Sequence, residues 1–332
     1  MSIGTHLCPV RARAFTLVVA GAGAFALAAC HHAPPPPSNT TPENAVATNL
    51  RLTATGDFDG LMKNRLPAAD YARWREEWEE SHTQPVPASV AQQKQFAEIM
   101  QMLTEPGAEA RLAKRLQPEL SKFRGDKNAP APIFAGILEA AGKQMIDESP
   151  QLGPAQQKLA TQVLTTVIGW ARTTDFSDAK KAQKAIDLVC ATARQLHVQT
   201  LEQWRALDYA QTMHNYGTLW NGLENLLDIY GLDLSKTLTD AGIHTSANDG
   251  THATVKLDMR LASQSISGEW PMVKEAGHWY DAALLAAWRK AHPAPATSTA
   301  APATSVDQPA ASGTAAPANA TPSAAPPASA HS

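Results

Sequence analysis

The sequence predicts a mainly helical α+β protein, a multi-helix bundle followed by a small antiparallel β-meander and a short C-terminal helix. Three observations predict it. Apolar residues recur at steps of three and four through most of 42–231, the period shortens to two beyond Gly231, and helix-opening residues precede most of the helical runs.

Thr41-Pro42-Glu43-Asn44 supplies an N-cap, a first-position proline and an acidic first turn, which open a helix toward Leu52. Gly56-Asp57 ends that helix, and Asp57 can cap a short one over 58–66. Asp57 and Asp59, two apart with no further ligands, fall short of a calcium loop, so capping and solvation are their expected roles. A third helix from Pro67-Ala68-Ala69-Asp70 carries Tyr71, Trp74 and Trp78 as a core stripe, with Arg75 and Glu79 at ion-pair spacing on a solvated face.

After the break at Pro85 and Pro87, the run 89–103 places Phe96, Met100 and Leu103 on one side. The next run presents Leu112, Leu116, Leu120 and Phe123, with a kink or restart expected where Pro118 disfavours helix at Gln117. A loop over 125–132 precedes a helix over 133–149 with Phe134, Leu138, Ala141 and Met145 as its stripe. Leu159, Val163, Val167 and Trp170, widened by Leu164 and Ile168, mark the most apolar helix, expected at the centre of the bundle. Ser177-Asp178 caps a helix with Ala182, Ile186, Val189, Ala193 and Leu196 inward and Cys190 beside them. Thr200-Leu201-Glu202 opens one long helical segment to Tyr230, buried on several sides or bent near Gly217 or Gly222.

In the meander, 243–246 forms a weak first strand and Asn248-Asp249-Gly250 a hairpin turn. Val255, Leu257, Met259 and Leu261 alternate with Lys256, Asp258 and Arg260, so one face is buried and the other wet. A third strand over 268–275, a turn at Glu275-Ala276-Gly277, a fourth strand at His278-Trp279-Tyr280 and a helix over 281–290 complete the body. From 293 to 332 the chain is almost wholly Ala, Pro, Ser and Thr, too poor in apolar bulk to offset ordering entropy, and is expected to be a disordered tail.

At the other end, Arg11 and Arg13 precede an apolar run over 14–29 that is short of the roughly 20 residues a spanning helix needs. Leu27-Ala28-Ala29-Cys30 closes that run, and 30–41, with Pro34-Pro35-Pro36-Pro37, forms an extended tether. The chain therefore divides into 1–29, a signal peptide; 30–41, the tether; 42–231, the helical bundle; 232–292, the meander and short helix; and 293–332, the tail.

Leu27-Ala28-Ala29-Cys30, with its apolar run and basic flank, resembles the lipobox of bacterial lipoproteins. The resemblance implies cleavage before Cys30 and acylation of its thiol, so that the membrane is a partner through the N-terminal lipid. His31 stands where an aspartate would retain such proteins in the inner membrane, which implies the outer membrane, facing the periplasm. Cys190 is then left without an intrachain partner and is expected buried and inert. The run from Met272 to Tyr280, together with Gly56-Asp57-Phe58, is weakly similar to cystatin-like or NTF2-like bacterial lipoproteins, although a long helical insertion replaces strands of that fold.

The net charge of −3 becomes −5 once the two arginines of 1–29 are removed, which gives no attraction to phosphates and argues against nucleic acid. No GxSxG, HExxH, P-loop, GxGxxG or CxxC motif is present, and His31-His32 is an incomplete metal site, so no catalytic residue, metal or cofactor is expected. Polar and aromatic types gather only at Asp208, Tyr209, His214, Asn215, Tyr216 and Trp220; Asp208, His214, Tyr216 and Trp220 make a candidate pocket, in which His214 is first of all a hydrogen-bonded structural histidine. The expectation is a lipid-anchored, non-catalytic binding or interaction module with an envelope protein as possible partner. The alternatives are a periplasm-facing hydrolase using Asp208, His214 and Tyr216, and a structural link from outer membrane to cell wall.

Overall fold

A computed structural model describes residues 39–83, 88–123 and 131–293. The lipobox with Cys30, the tether before Asn39, all but 131–132 of the expected loop over 125–132, and the tail from 294 lie outside the described residues. The fold class is the one the sequence predicts, mixed α+β with a helix-rich first part, then a four-stranded antiparallel sheet and a short closing helix.

The helices are α1 (Pro42–Ala54), α2 (Phe58–Arg65), α3 (Ala68–Thr83), α4 (Val90–Thr104), α5 (Ala108–Phe123), α6 (Ala131–Asp147), α7 (Pro154–Thr173), α8 (Ala179–Gln195), α9 (Leu201–Arg205), α10 (Tyr209–Ile229) and α11 (Leu234–Thr239). The strands β1 (Gly242–Asn248), β2 (His252–Leu261), β3 (Gln264–Glu275) and β4 (His278–Asp281) follow, and α12 (Ala282–Ala291) closes the body. Local chemistry sets most boundaries. Thr41, Asp57, Ser89, Asp178 and Asp281 each accept a backbone N–H from the first turn of the helix they precede, filling donors that would otherwise be orphaned.

The sheet is a meander in the order β1-β2-β3-β4. Along β2, Ala253, Val255, Leu257, Met259 and Leu261 point into the main core while Lys256 and Arg260 face water. β3 starts at Gln264, earlier than the sequence suggests, because Ala262 and Ser263 both adopt positive φ, 46° and 66°, in the two-residue turn that joins it to β2. That turn type favours Asn-Gly or Asp-Gly, and neither residue advertises it.

Two cores organise the body. The first joins the buried sheet face to Ala45, Val46 and Leu50 of α1 and to Leu159 and Val163 of α7. α7 therefore lies on the sheet rather than at the centre of a helical bundle, with Leu159 filling the space left by the missing side chain of Gly268. The second core gathers Leu52, Phe58, Leu61, Leu66, Trp74, Tyr209, Trp220 and, from the C-terminal elements, Tyr280, Leu284 and Trp288. Smaller clusters tie α4 and α5 to α8, and α6 to α7.

Other expectations are corrected by packing. The segment 200–230 is two helices, because Thr200 and Asp208 each form a capping box and the chain breaks at 206–208. Gly217 marks a close crossing of two backbones rather than a bend, since a Cβ there would sit 2.6 Å from the carbonyl oxygen of Gly56. α5 is assigned as helix through Pro118; Lys114, whose carbonyl loses its donor, is on the wet side. The inward face of α6 is set by Ala135, Leu138 and Gly142, with Met145 38 % exposed. On α8, Ala182, Ile186, Ala193 and Leu196 are buried as the stripe predicts, and the one change is that Cys190 is fully buried while Val189 is 36 % exposed.

Burial, and after it the nearby Glu109 carboxylate, push the Cys190 thiol above its ordinary value. The native protein is accordingly expected to leave Cys190 unlabelled by a water-soluble thiol reagent at neutral pH, with full labelling in urea. Rapid labelling of folded protein would contradict the packing of α8 against α5.

Candidate functional site

The turn between α1 and α2 is built by Gly56. At φ 68° it terminates α1 with the N–H of Gly56 donating to the Thr53 carbonyl and that of Asp57 to Leu52, a left-handed C-terminal cap that L side chains resist. Because Gly217 lets α10 approach this turn, the segment 56–59 faces the first turns of α10 across an open cleft of about 350 Å³. Phe58, Met213 and Ala210 give the cleft apolar surface, and Asp57, Asp59, Arg75, Tyr209 and His214 give it polar surface.

Tyr209 is the central side chain. It is 6 % exposed, and its hydroxyl donates to Asp59 Oδ1 at 2.6 Å. The Tyr71 hydroxyl donates to the same oxygen, and Lys63 Nζ donates to Oδ2 at 2.6 Å. Burial raises the Asp59 pKa, but the hydrogen bonds from Lys63, Tyr209 and Tyr71 outweigh it and hold the carboxyl below the ordinary 3.8. Burial, reinforced by its bond to Asp59, pushes Tyr209 far up, so its proton stays on the phenol. Because the folded Asp59 value is depressed, its ionisation contributes stability above the ordinary value, and that contribution is lost as pH falls through the folded value. An NMR titration of the Asp59 carboxyl is expected to show a midpoint below 3.8 that rises toward it in Tyr209→Phe. An unchanged midpoint would remove the tyrosine bond as a cause.

On the ring face of Tyr209 lies Arg75, its guanidinium carbon 3.8 Å from the ring centroid. Glu79, one turn on, accepts from Arg75 Nη2 at 2.6 Å, while Arg75 Nε is buried with no acceptor. Trp74 and Trp78 meet the Tyr209 ring edge-on at centroid distances of 5.7 and 5.0 Å, and His82 stacks on Trp78 at 3.7 Å. Burial depresses the His82 pKa. This aromatic wall fixes Tyr209, and Tyr209 in turn holds a cation over its ring and an anion at its hydroxyl.

Of the four residues singled out in the sequence, only His214 lines the cleft, on an exposed part of α10. Asp208 is the N-cap of α10, its carboxylate accepting from Gln211 N at 2.8 Å. Tyr216 turns toward Trp204, with centroids 6.0 Å apart, and Trp220 is buried edge-on against Phe58 with its Nε1 lacking an acceptor. The four do not form one constellation. Asp59, Arg75 and Tyr209 do, and Asp59 has a larger part than the solvation expected of it. The Asp59–Lys63 and Arg75–Glu79 spacings were visible locally, but nothing local joins Asp59 to Tyr209, 150 positions away.

Among the described residues no group of three or more His, Cys, Asp or Glu could hold a metal ion, and no helix is long and apolar enough to cross a membrane. Compared with known proteins, the chain matches no family model, no curated protein and no solved structure.

Proposed function

We propose that this chain is a lipid-anchored protein of the cell envelope, held at the outer membrane through Cys30 and facing the periplasm, whose folded body is a non-catalytic binding module using the cleft beside Tyr209. The anchoring half rests on Leu27-Ala28-Ala29-Cys30 and its flanks. The binding half rests on one observation: Arg75 and Asp59 are pinned on the face and at the hydroxyl of one buried tyrosine, at the wall of an open cleft. Charged groups held in place before a ligand arrives lose little freedom when it binds, which is what a recognition site requires.

Native mass spectrometry of the full chain extracted from membranes in mild detergent tests both halves. The expected spectrum shows an N-terminus at acylated Cys30 and a small-molecule adduct that is lost in Arg75→Met. An unmodified Cys30 thiol would overturn the anchor, and a bare protein mass with no adduct would overturn the binding module.

A further inference from the structure

We propose that the cleft takes a zwitterion, a free amino acid with a short apolar side chain. The proposal rests on reading the cleft as a binding site and adds the chemistry of its occupant. Arg75 lies over the face of the Tyr209 ring and Asp59 accepts from the hydroxyl at its far end, so the reach of one tyrosine separates a fixed cation from a fixed anion. A free amino acid carries the complementary pair, a carboxylate for the guanidinium and an ammonium for the acidic end.

The site has capacity left at both ends. Arg75 gives Glu79 one Nη2 hydrogen bond and meets the Tyr71 hydroxyl, and a guanidinium with five N–H groups keeps donors for an incoming carboxylate. Asp57 uses Oδ1 as the cap of α2, accepting from Gly60 N at 2.8 Å, and no described residue donates to its Oδ2. Asp59 Oδ2 accepts only from Lys63. The Asp57 and Asp59 carboxylates thus give this end of the cleft acceptor capacity for an ammonium group. Phe58, Met213 and Ala210 supply apolar surface for a hydrocarbon side chain.

The same arrangement rejects simpler ions. An amine without a carboxylate brings no anion to set against Arg75, and a carboxylate without an amine meets Asp57 and Asp59.

Calorimetric titration of the full chain in mild detergent with leucine, leucine methyl ester and N-acetyl-leucine tests the proposal. Leucine is expected to bind, with each analogue weaker by about tenfold or more. Arg75→Met, which keeps the aliphatic stem, is expected to abolish the preference over the methyl ester, and Asp57→Asn, which keeps an N-cap, to diminish that over N-acetyl-leucine. Unchanged circular dichroism of both variants excludes unfolding as the cause. Equal binding of the three probes, no leucine binding, or preferences indifferent to both substitutions would overturn the proposal. If one of those results accompanies an Arg75-dependent native adduct, the cleft still binds and only the zwitterion is wrong; if no adduct exists either, both readings fall.

Discussion

Replacing Asp281 with alanine is expected to cost about 3–5 kcal/mol of folding free energy, the magnitude found when one member of a buried ion pair is removed. Asp281 is completely buried at the junction of β4 and α12. Its two oxygens accept from Gln156 Nε2 at 3.0 Å, from Trp270 Nε1 at 3.1 Å, from Arg65 Nη2 at 3.3 Å and from the backbone N–H groups of Ala283 and Leu284 at 3.0 Å. Arg65 is itself 13 % exposed, so the substitution leaves a nearly buried cation and several donors with nothing to accept from them. Asp281→Asn keeps the shape and the cap but turns an NH2 group toward donors, so an intermediate loss of about 1–3 kcal/mol is expected. Urea denaturation followed by tryptophan fluorescence measures both. A loss below about 1 kcal/mol for Asp281→Ala would mean that water replaces the carboxylate and that the network is not closed.

The second large effect is expected at the crossing of Gly56 and Gly217. In Gly217→Ala the new methyl group would lie 2.6 Å from the Gly56 carbonyl oxygen, a backbone atom that cannot swing aside, and a loss of about 2–3 kcal/mol follows from overpacking. Gly56→Ala adds a strained φ of 68° to a contact of 2.8 Å with Gly217 Cα, and about 3–4 kcal/mol is expected. Gly231→Ala separates the two causes, because that residue has φ 86° with nothing within 4 Å of the added carbon, so only the strain of about 1 kcal/mol remains. Midpoints of denaturant unfolding give the three values. Equal losses at Gly231 and Gly217 would show that the α1–α2 turn yields freely, and the wall of the cleft would then be soft.

The parts of the fold that were legible are those decided within a few residues. Thr41-Pro42, Asp57, Ser89 and Asp178 announce helix starts because a cap acts two or three positions away, and β2 announces its wet and dry faces by alternation. What failed was decided at a distance or by inconspicuous turns. Val189 and Cys190 are both small enough to face inward, and the neighbouring α4 and α5 choose between them. Ala262-Ser263 makes its turn without the residues that usually mark one. The run 200–230 read as one helix because its apolar steps continue across 206–208, although Asp208 and Gln211 carried a capping signal. The candidate site was misplaced for the same reason. Tyr209 stood in the gathering read from the sequence, but the four residues chosen for the pocket all came from one helix and its cap, whereas the constellation at Tyr209 draws Asp59 from α2 and Tyr71 and Arg75 from α3.

Asp281 also dictates the order in which the body can become stable. A ribosome or an export channel delivers this chain from its N-terminus, so Arg65, Gln156 and Trp270 all emerge before the carboxylate that receives their hydrogen bonds. Until residues 279–288 have appeared, its two cores lack Trp279 and the pair Leu284 and Trp288, respectively, and the polar junction lacks Asp281. A product ending short of α12 leaves the second core without Leu284 and Trp288, so it is expected to be cleaved by proteases faster than the whole body.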